Sequence, residues 1–251
     1  MVAVVVIEFS VMRCQPLRRA LCATHLSKEM DVKLYKYLPS QYVDNIIQKG
    51  ELLFRNLSYF RKFEDNRRGD PLEGFHRDNP DNDITLSCPD TGRILAKGDY
   101  SFLNSTNSDL IYVFCLSKEH SARLYDEFEA DACIEITDTQ EFMKRCRFAV
   151  KRLISSHKSG LLNKDVFYYR DNAPAEFNIK DPKNLAFAKG VHYKHQNEHR
   201  MVFGTRKAFE LTQSIVINKT YDFIEDTKSG IAKSKLLRIG NISDIVNVHY
   251  V

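Results

Sequence analysis

An unbroken apolar run from Leu110 to Leu116 constrains the fold of this chain more than any other part of its sequence. Runs of this length, rich in β-branched and aromatic residues, are typical of strands that are buried on both faces of a sheet. Shorter segments with strand-forming composition lie on either side of it. They are residues 32–37, 52–57, 132–136, 166–169, 191–203, 214–217, 235–239 and 245–251. The sequence therefore predicts a strand-rich fold around one central buried strand.

Helix signals separate several of these strands. Ser40 is a good N-cap for a short helix, and Asp138 begins a longer one through a capping box. The pair Asp181–Pro182 begins another short helix, because proline is favoured at the first helical position. Turn-forming clusters fill residues 61–109, which we expect to be a long irregular segment. Together these signals predict an α+β fold.

The length and composition fit one domain that begins at about Met30. The chain has 251 residues, of which 43% are hydrophobic and 28% charged, and this is enough for one sizeable core. The apolar run Val2–Ile7 precedes its positive charges and is too short for a bilayer, so it fits neither a signal peptide nor a membrane span. We predict that residues 1–29 form a poorly ordered extension and residues 30–251 a single domain. Six cysteines without any CxxC pair favour a reducing compartment, and hence the cytoplasm.

The segment from His195 to Arg200 holds the strongest candidate site. If it is a strand, side chains two residues apart share a face, so Gln196, Glu198 and Arg200 project together. A carboxylate between an amide and a guanidinium can bind a ligand that carries hydroxyl groups and positive charge. The alternative is an ordinary charged strand that faces solvent, with Glu198 in a cross-strand ion pair. The local pattern leaves both interpretations open.

Three histidines in the same region, His192, His195 and His199, raise the question of a metal site. On a strand, His192 would point away from the other two, and the spacing of the three matches no established zinc motif. We therefore predict no metal site, and a metal-dependent nuclease is kept as a third alternative for the function.

The order of short motifs along the chain resembles that of ADP-ribosyltransferases and of a bacterial toxin and defence family thought to share their fold. The resemblance spans about Leu34 to Phe203 and ends in a Gln-x-Glu motif at Gln196 and Glu198. The other matching motifs are Leu34-Tyr35-Lys36-Tyr37, Ser58-Tyr59-Phe60, Asp70-Pro71-Leu72-Glu73-Gly74 and Phe114-Cys115-Leu116-Ser117. The resemblance implies an α+β fold with a split pair of mostly antiparallel sheets and flanking helices.

The resemblance also implies an activity, the transfer of ADP-ribose from NAD+, as co-substrate, to an acceptor. Glu198 would accept a hydrogen bond from the ribose 2′-hydroxyl and stabilise the positive charge that develops on the ribose as nicotinamide leaves. Gln196 would orient the acceptor. Arg200, on the same strand face, is a further candidate contact for the acceptor or for phosphate.

The NAD+-binding residues that the resemblance implies come from the first two strands. Lys36 stands where relatives have the first-strand Arg or His that holds NAD+, and Tyr35 or Tyr37 would share that task. Ser58 and Phe60 match the second-strand residues that support the nicotinamide ribose and stack on the ring. Lysine cannot make the bidentate fork of arginine. This departure keeps open a second function, a non-catalytic module on a degenerate transferase fold that binds nucleic acid or a partner protein.

A basic cluster with interleaved aromatic residues lies in the turn-rich segment. Arg61, Arg67 and Arg68 can grip the phosphates of NAD+ or of a nucleic-acid backbone, and the alternative is a solvated loop. Asp70 and Glu73 either pair with these arginines or contact the acceptor, and the sequence does not separate the two roles.

The resulting expectation is a mono-ADP-ribosyltransferase that serves a bacterium as a toxin or defence effector. The net charge of +4 and the basic cluster favour RNA or DNA over protein as the macromolecular acceptor. Such a toxin implies a neutralising antitoxin as a partner, with or without a chaperone, and no membrane association.

Overall fold

The computed structural model describes residues 32–62, 70–80, 83–88, 90–153, 155–217 and 230–251. Over these residues the protein is a mixed α+β structure whose sheets are mostly antiparallel, as the sequence predicts. The predicted extension at residues 1–29 lies outside the described residues, as do Arg67 and Arg68. No helix among the described residues is both long and apolar enough to cross a bilayer.

The strands are numbered in chain order. They are β1 (Leu34–Leu38), β2 (Glu51–Asn56), β3 (Phe75–Asp78), β4 (Ile84–Ser87), β5 (Ile94–Gly98), β6 (Tyr100–Ser105), β7 (Ile111–Ser117), β8 (Ala132–Ile136), β9 (Leu162–Asp165), β10 (Phe167–Tyr169), β11 (Ala188–Gly190), β12 (Glu198–Gly204), β13 (Thr212–Ile217), β14 (Ser234–Arg238) and β15 (Val246–Tyr250). An eight-stranded sheet contains the order β14-β2-β7-β1-β8-β15, with β12 and β9 added beside β7. The predicted central strand is thus confirmed as β7.

The two edges of β7 are paired differently, and this splits the sheet. Along one edge β12 pairs with β7 over its whole length, from Glu198 opposite Ser117 to Gly204 opposite Ile111. Both β1 and β2 therefore pair with the other edge. Strand β1 pairs with β7 only at Ser117, and β2 pairs with it only at Tyr112 and Val113. Because β1 and β2 diverge, the edge of β7 between them has no strand partner among the described residues.

Helices pack on both faces of this sheet. They are α1 (Val43–Ile47), α2 (Leu57–Arg61), α3 (Ala122–Phe128), α4 (Thr139–Lys151) and α5 (Pro182–Leu185). The main core packs α1 and α4 against β2, β7 and β12, through side chains such as Ile46, Phe142, Phe54 and Phe114. The opposite face carries two smaller apolar clusters, one around Val113 and Phe187 and one around Tyr37 and Tyr125.

The capping predictions have different outcomes. The side chain of Asp138 accepts a hydrogen bond from the backbone N–H of Glu141 at 2.8 Å, which confirms it as the N-cap of α4. Ser40 is wrong as a cap, because its hydroxyl donates to Asp131 Oδ2 at 2.7 Å instead. Asp181 caps α5 as predicted, with Pro182 at its first position. A helix cap is predictable from the sequence where its hydrogen bond is local. It is missed where a carboxylate far away in the chain competes for the capping side chain.

The prediction of a long irregular segment over residues 61–109 is wrong. Strands β3, β4, β5 and β6 lie in it, forming an antiparallel β4–β5 pair and, with β13, a three-stranded sheet. Among the described turn-forming residues, Asn79, Pro80 and Asp90 lie in connections between these strands, whereas Asn104 and Ser105 lie within β6. Composition alone therefore identified some of the turns but missed the strand segments between them.

The prediction of one strand over Val191–Phe203 is wrong in its first half. Residues Val191–Gln196 form a 3-10 helix, and Asn197 then takes a left-handed conformation with φ of 42°. Asparagine tolerates that conformation better than most residues. The strand β12 begins only at Glu198, so Gln196 does not share a strand face with Glu198.

Candidate functional site

A cleft of about 560 Å³ opens where β1 and β2 diverge from β7. Its volume falls in the range of about 300–1,000 Å³ that is usual for small-ligand sites. Side chains from both diverging strands, from β7, from β11 and from β12 line it. Among the residues that the sequence singled out, the lining includes Tyr35, Lys36, Tyr37, Phe60, Glu73, Gln196, Glu198 and Arg200. The split in the sheet thus assembles residues that are far apart in the chain.

A buried guanidinium fork forms the charged floor of this cleft. Arg200 donates from Nη1 and Nη2 to the two carboxylate oxygens of Glu73, at 2.8 and 2.6 Å. Its Nε donates to Oε1 of Glu198 at 2.6 Å. Strand alternation correctly placed Glu198 and Arg200 on one face, and both are buried, at 5% and 1% exposed. The interpretation of Glu198 as a solvent-facing surface charge is therefore wrong.

Lys189 adds a second buried cation. Its Nζ donates to Oε2 of Glu198 at 3.1 Å and to the amide oxygen of Gln196 at 2.8 Å. It also lies 4.4 Å from the ring centroid of Tyr193. Two carboxylates and two cations thus form a quartet, Glu73, Arg200, Glu198 and Lys189, with no net charge.

The quartet holds Glu198 as a carboxylate. Burial by itself would raise the pKa of Glu198, but the charges of Arg200 and Lys189 outweigh it and lower that pKa below its usual range. The thiol of Cys115 also donates to Glu198, while burial raises the pKa of that thiol. Burial raises the pKa of Glu73 against the opposing charge of Arg200. At neutral pH the cleft floor therefore carries an anionic Glu198 whose charge is balanced by protein cations.

Gln196 reaches the quartet from the end of the 3-10 helix. Its amide oxygen faces Lys189, and its amide nitrogen donates to Oε1 of Glu127 at 2.7 Å. Its backbone oxygen accepts a hydrogen bond from the hydroxyl of Ser117 at 2.9 Å. The sequence grouped Gln196 with Glu198 on a wrong assumption about secondary structure, yet Lys189 joins the two side chains.

The first-strand residues approach the cleft from two faces. Tyr35 lies opposite Ser117, which lies opposite Glu198, so these three share one face and Lys36 points to the other. The Nζ of Lys36 donates to the carbonyl oxygen of Cys115 at 3.0 Å, and burial lowers the pKa of Lys36. Lys36 thus bridges the unpaired edge of β7.

The two tyrosines of β1 belong to an aromatic cluster at one side of the cleft. Tyr35 stacks on His120 with 5.3 Å between ring centroids. The hydroxyl of Tyr37 donates to the carbonyl oxygen of Glu119 at 2.9 Å and accepts from the backbone N–H of Ser121. Both rings are therefore held in place by protein contacts, and both still line the cleft.

The Ser58-x-Phe60 motif lies on α2 and not on the second strand, because the side chain of Asn56 caps a helix there. Ser58 is buried, donates to Asp109 and accepts from Arg61 Nη2 at 2.9 Å. Burial lowers the pKa of Arg61 to about 10. Tyr59 and Phe60 line the cleft, whereas Ser58 and Arg61 do not.

The two carboxylates of residues 70–74, which we call the acidic loop, have different partners. Asp70 accepts hydrogen bonds from the backbone N–H groups of Leu72 and Gly190, at 2.8 and 3.4 Å, and so fixes the loop. Glu73 pairs with an arginine, as one of the two predicted roles requires, but that arginine is Arg200 and not a member of the basic cluster.

The sequence motifs assign no role to Lys189, Glu127 or Arg55. Lys189 is the decisive omission, because it contacts both residues of the Gln-x-Glu motif. A signal was present, since a lysine that directly follows the apolar run Leu185–Ala188 is expected to have a buried partner. Arg55 lines the cleft with its guanidinium 4.5 Å from the ring centroid of Tyr59.

The three histidines have separate partners. His195 contacts Oε1 of Glu127 at 2.8 Å, and His199 contacts Oδ1 of Asp165 at 2.7 Å. His192 packs against the ring of Tyr193. In the part of the chain that the structure describes, no group of three or more His, Cys, Asp or Glu side chains is arranged to hold a metal ion.

Comparison of the chain with protein-family models, with curated proteins and with solved structures finds no match.

Proposed function

We propose that the protein is a mono-ADP-ribosyltransferase that uses NAD+ as co-substrate. The observation that carries the proposal is Glu198, an anionic carboxylate on the floor of a cleft at a split in an antiparallel sheet. A split pair of sheets with this Gln-x-Glu motif at its opening is the arrangement that the resemblance to ADP-ribosyltransferases implies.

The lining of the cleft suits a dinucleotide. Aromatic rings from Tyr35, Tyr59 and Phe60 offer flat surfaces for a base or a nicotinamide ring. Arg55 supplies positive charge for a pyrophosphate on the face of the sheet that carries Glu198, and Lys36 supplies it at the unpaired edge of β7. Lys36 keeps donor capacity after its bond to the Cys115 carbonyl, because an ammonium has three donors.

The proposed reaction breaks one bond and forms another at the ribose C1′. The electron pair of the bond to nicotinamide leaves with its nitrogen, while the acceptor attacks C1′ and releases a proton. Glu198 lowers the barrier by stabilising the positive charge on the ribose through the 2′-hydroxyl. Three of the roughly four acceptor positions of its carboxylate are used by Lys189 and Arg200. A hydroxyl can take the remaining one by replacing the weaker thiol donor Cys115.

The proposed acceptor is a macromolecule, with RNA or DNA favoured over protein. The support is the net charge of +4, because a basic protein attracts the phosphates of a nucleic acid. Arg61 adds nothing to this argument, because it is buried. In a bacterium such an activity fits a toxin or defence effector that is held in check by an antitoxin, with or without a chaperone.

The test is incubation of the full chain with labelled NAD+ and a cell lysate. We expect labelled macromolecules, and a fall of at least about 100-fold for Glu198→Gln, because the stabilising charge is lost. Glu141→Gln, at a surface carboxylate that pairs with Lys144, is the matched control and should label normally. If the wild-type chain neither labels any macromolecule nor hydrolyses NAD+, the proposal is wrong. Nuclease digestion of the labelled product separates a nucleic-acid acceptor from a protein.

A non-catalytic binding module is the second candidate, and the position of Lys36 favours it. That ammonium is bonded to the Cys115 carbonyl and lies on the face of the sheet opposite Glu198. Titration calorimetry with NAD+ separates the two candidates, because a module that has lost the activity should release no binding heat.

A further inference from the structure

The Gln-x-Glu pair is connected to the rest of the protein by a chain of buried hydrogen bonds. Glu127 on α3 accepts from the amide nitrogen of Gln196, whose amide oxygen accepts from Lys189, which donates in turn to Glu198. The four residues are 9%, 2%, 4% and 5% exposed in that order. We call this chain, Glu127–Gln196–Lys189–Glu198, the relay.

The bonds of the relay fix which way the amide of Gln196 points. A carboxylate such as Glu127 can only accept, and an ammonium such as Lys189 can only donate, so the amide nitrogen must face the first and the amide oxygen the second. The Ser117 hydroxyl holds the backbone of Gln196 at the same place. Turning the amide toward a macromolecule would leave a buried ammonium without one of its acceptors, which is costly.

From this geometry we infer that Gln196 and Lys189 are positioning residues, which hold the carboxylate of Glu198 in place and do not contact the acceptor. The inference rests on the proposed function for its catalytic consequence. It assigns Gln196 a task different from the acceptor-orienting one that the resemblance implies.

The two tasks make different predictions for two reactions at one site. Water can replace the acceptor, so hydrolysis of NAD+ needs Glu198 but no acceptor-orienting residue. If Gln196 orients the acceptor, its loss should abolish transfer and spare hydrolysis. If it acts through Glu198, hydrolysis and transfer should fall by the same factor.

The groups that surround Glu198 also predict a titration effect. Glu198 contacts Arg200 of β12, Lys189 of β11 and Cys115 of β7. The other charged or titratable groups near it are Tyr168 of β10, Glu73 of the acidic loop and, on the other face of the sheet, Lys36 of β1. Lys189→Met removes one of the two cations that contact the carboxylate and leaves Glu73 nearby. Because a cation that lowered the pKa of Glu198 is gone, that pKa must rise.

The experiment uses the full chain and the variants Gln196→Met, Lys189→Met and Lys189→Arg. We expect both reactions to fall in parallel by at least about tenfold in the two methionine variants, with partial recovery in Lys189→Arg. The control is Lys164→Met, because Lys164 also contacts an amide oxygen and lies 5.7 Å from a ring centroid, but it is exposed and outside the cleft. That variant should behave as the wild type.

The carboxyl carbon of Glu198, followed by NMR as the pH is changed, supplies a readout that needs no activity. The onset of its titration should move to higher pH in Lys189→Met and stay unchanged in Lys164→Met. Selective loss of transfer in Gln196→Met, or an unchanged onset of titration in Lys189→Met, overturns the inference. If the wild type neither transfers nor hydrolyses, the proposed function fails, while the NMR result still decides whether the relay holds Glu198.

Discussion

Two arginines in this protein make the same hydrogen-bond pattern in opposite surroundings. Each uses Nε for one carboxylate and both terminal nitrogens for a second one. The carboxylates are Glu198 and Glu73 for Arg200, and Glu141 and Asp244 for Arg145. The side chain of Arg200 is 1% exposed, whereas that of Arg145 is 23% exposed and its partners 30% and 59%. We call each arginine with its two carboxylates a fork; the two forks share this main pattern and differ most in their access to water.

The difference in exposure to water decides how much each fork contributes to the stability of the fold. Water can replace the partners of Arg145 if one is lost, so an exposed fork adds little to stability. Around Arg200 no such replacement exists, and a lost partner leaves an uncompensated buried charge. A buried fork is hard to explain by stability alone, since apolar residues would fill the same space as well or better. Its place on the floor of the cleft is what the proposed function requires, because the fork holds Glu198 there.

Replacing each arginine in turn should give the largest difference in stability between the two forks. Arg200→Met leaves Glu73 and Glu198 with Lys189 as the remaining cation of the quartet, and we expect a loss of about 3–5 kcal/mol in the free energy of unfolding. Arg145→Met should cost only a small fraction of that. Urea denaturation followed by circular dichroism measures both.

Equal losses for the two variants would show that burial does not separate the forks. The methionine side chain is chosen in both because it keeps most of the aliphatic volume of arginine. A change in packing then contributes little to the difference between the variants.

His76 provides the opposite case, a buried polar side chain whose ring nitrogens no hydrogen bond compensates among the described residues. It packs against the rings of Tyr169 and Phe177, and neither of its ring nitrogens has a hydrogen-bond partner among the described residues. Burial lowers its pKa to about 4 from the ordinary value of 6.5. As the pH falls below 6.5, the unfolded chain binds a proton that the folded chain refuses until about pH 4. Stability must therefore fall over that window, by up to about 1.4 kcal/mol for each pH unit.

His76→Phe should remove this acid sensitivity, because phenylalanine keeps a ring packed against Tyr169 and Phe177 and binds no proton. We expect the free energy of unfolding of the variant to decline less than that of the wild type between pH 6.5 and 4. Tyr169→Phe changes a neighbouring ring without removing a group that titrates in this range, so it should keep the wild-type slope. Parallel pH curves for His76→Phe and the wild type would contradict the assignment.

The sequence predicted those parts of the structure that depend on neighbours along the chain. The apolar run of β7, the cap at Asp138 and the shared face of Glu198 and Arg200 all follow from local periodicity and capping. The 3-10 helix before Glu198 was missed because a short apolar–polar alternation looks the same in a strand and in such a turn.

The cleft itself could not be predicted from local patterns. It depends on β1 and β2 sharing one edge of β7, which is a property of strand register. The pair Glu73–Arg200 is separated by 127 positions, and the lysine that joins Gln196 to Glu198 precedes both. Long-range electrostatic pairing of this kind leaves no periodic signal in a single sequence.

Added salt should produce the smallest of the expected effects and the cleanest separation of the two forks. The screening length falls from about 10 Å at 0.1 M ionic strength to about 3 Å at 1 M, and ions reach the exposed fork of Arg145 but not the buried one. The stability difference between the wild type and Arg145→Met should therefore shrink as sodium chloride is raised. The difference for Arg200→Met should persist, because a buried ion pair is screened much less. Denaturation curves of both variants at the two salt concentrations would contradict this account if both differences shrank alike, since Arg200 would then be accessible to solvent.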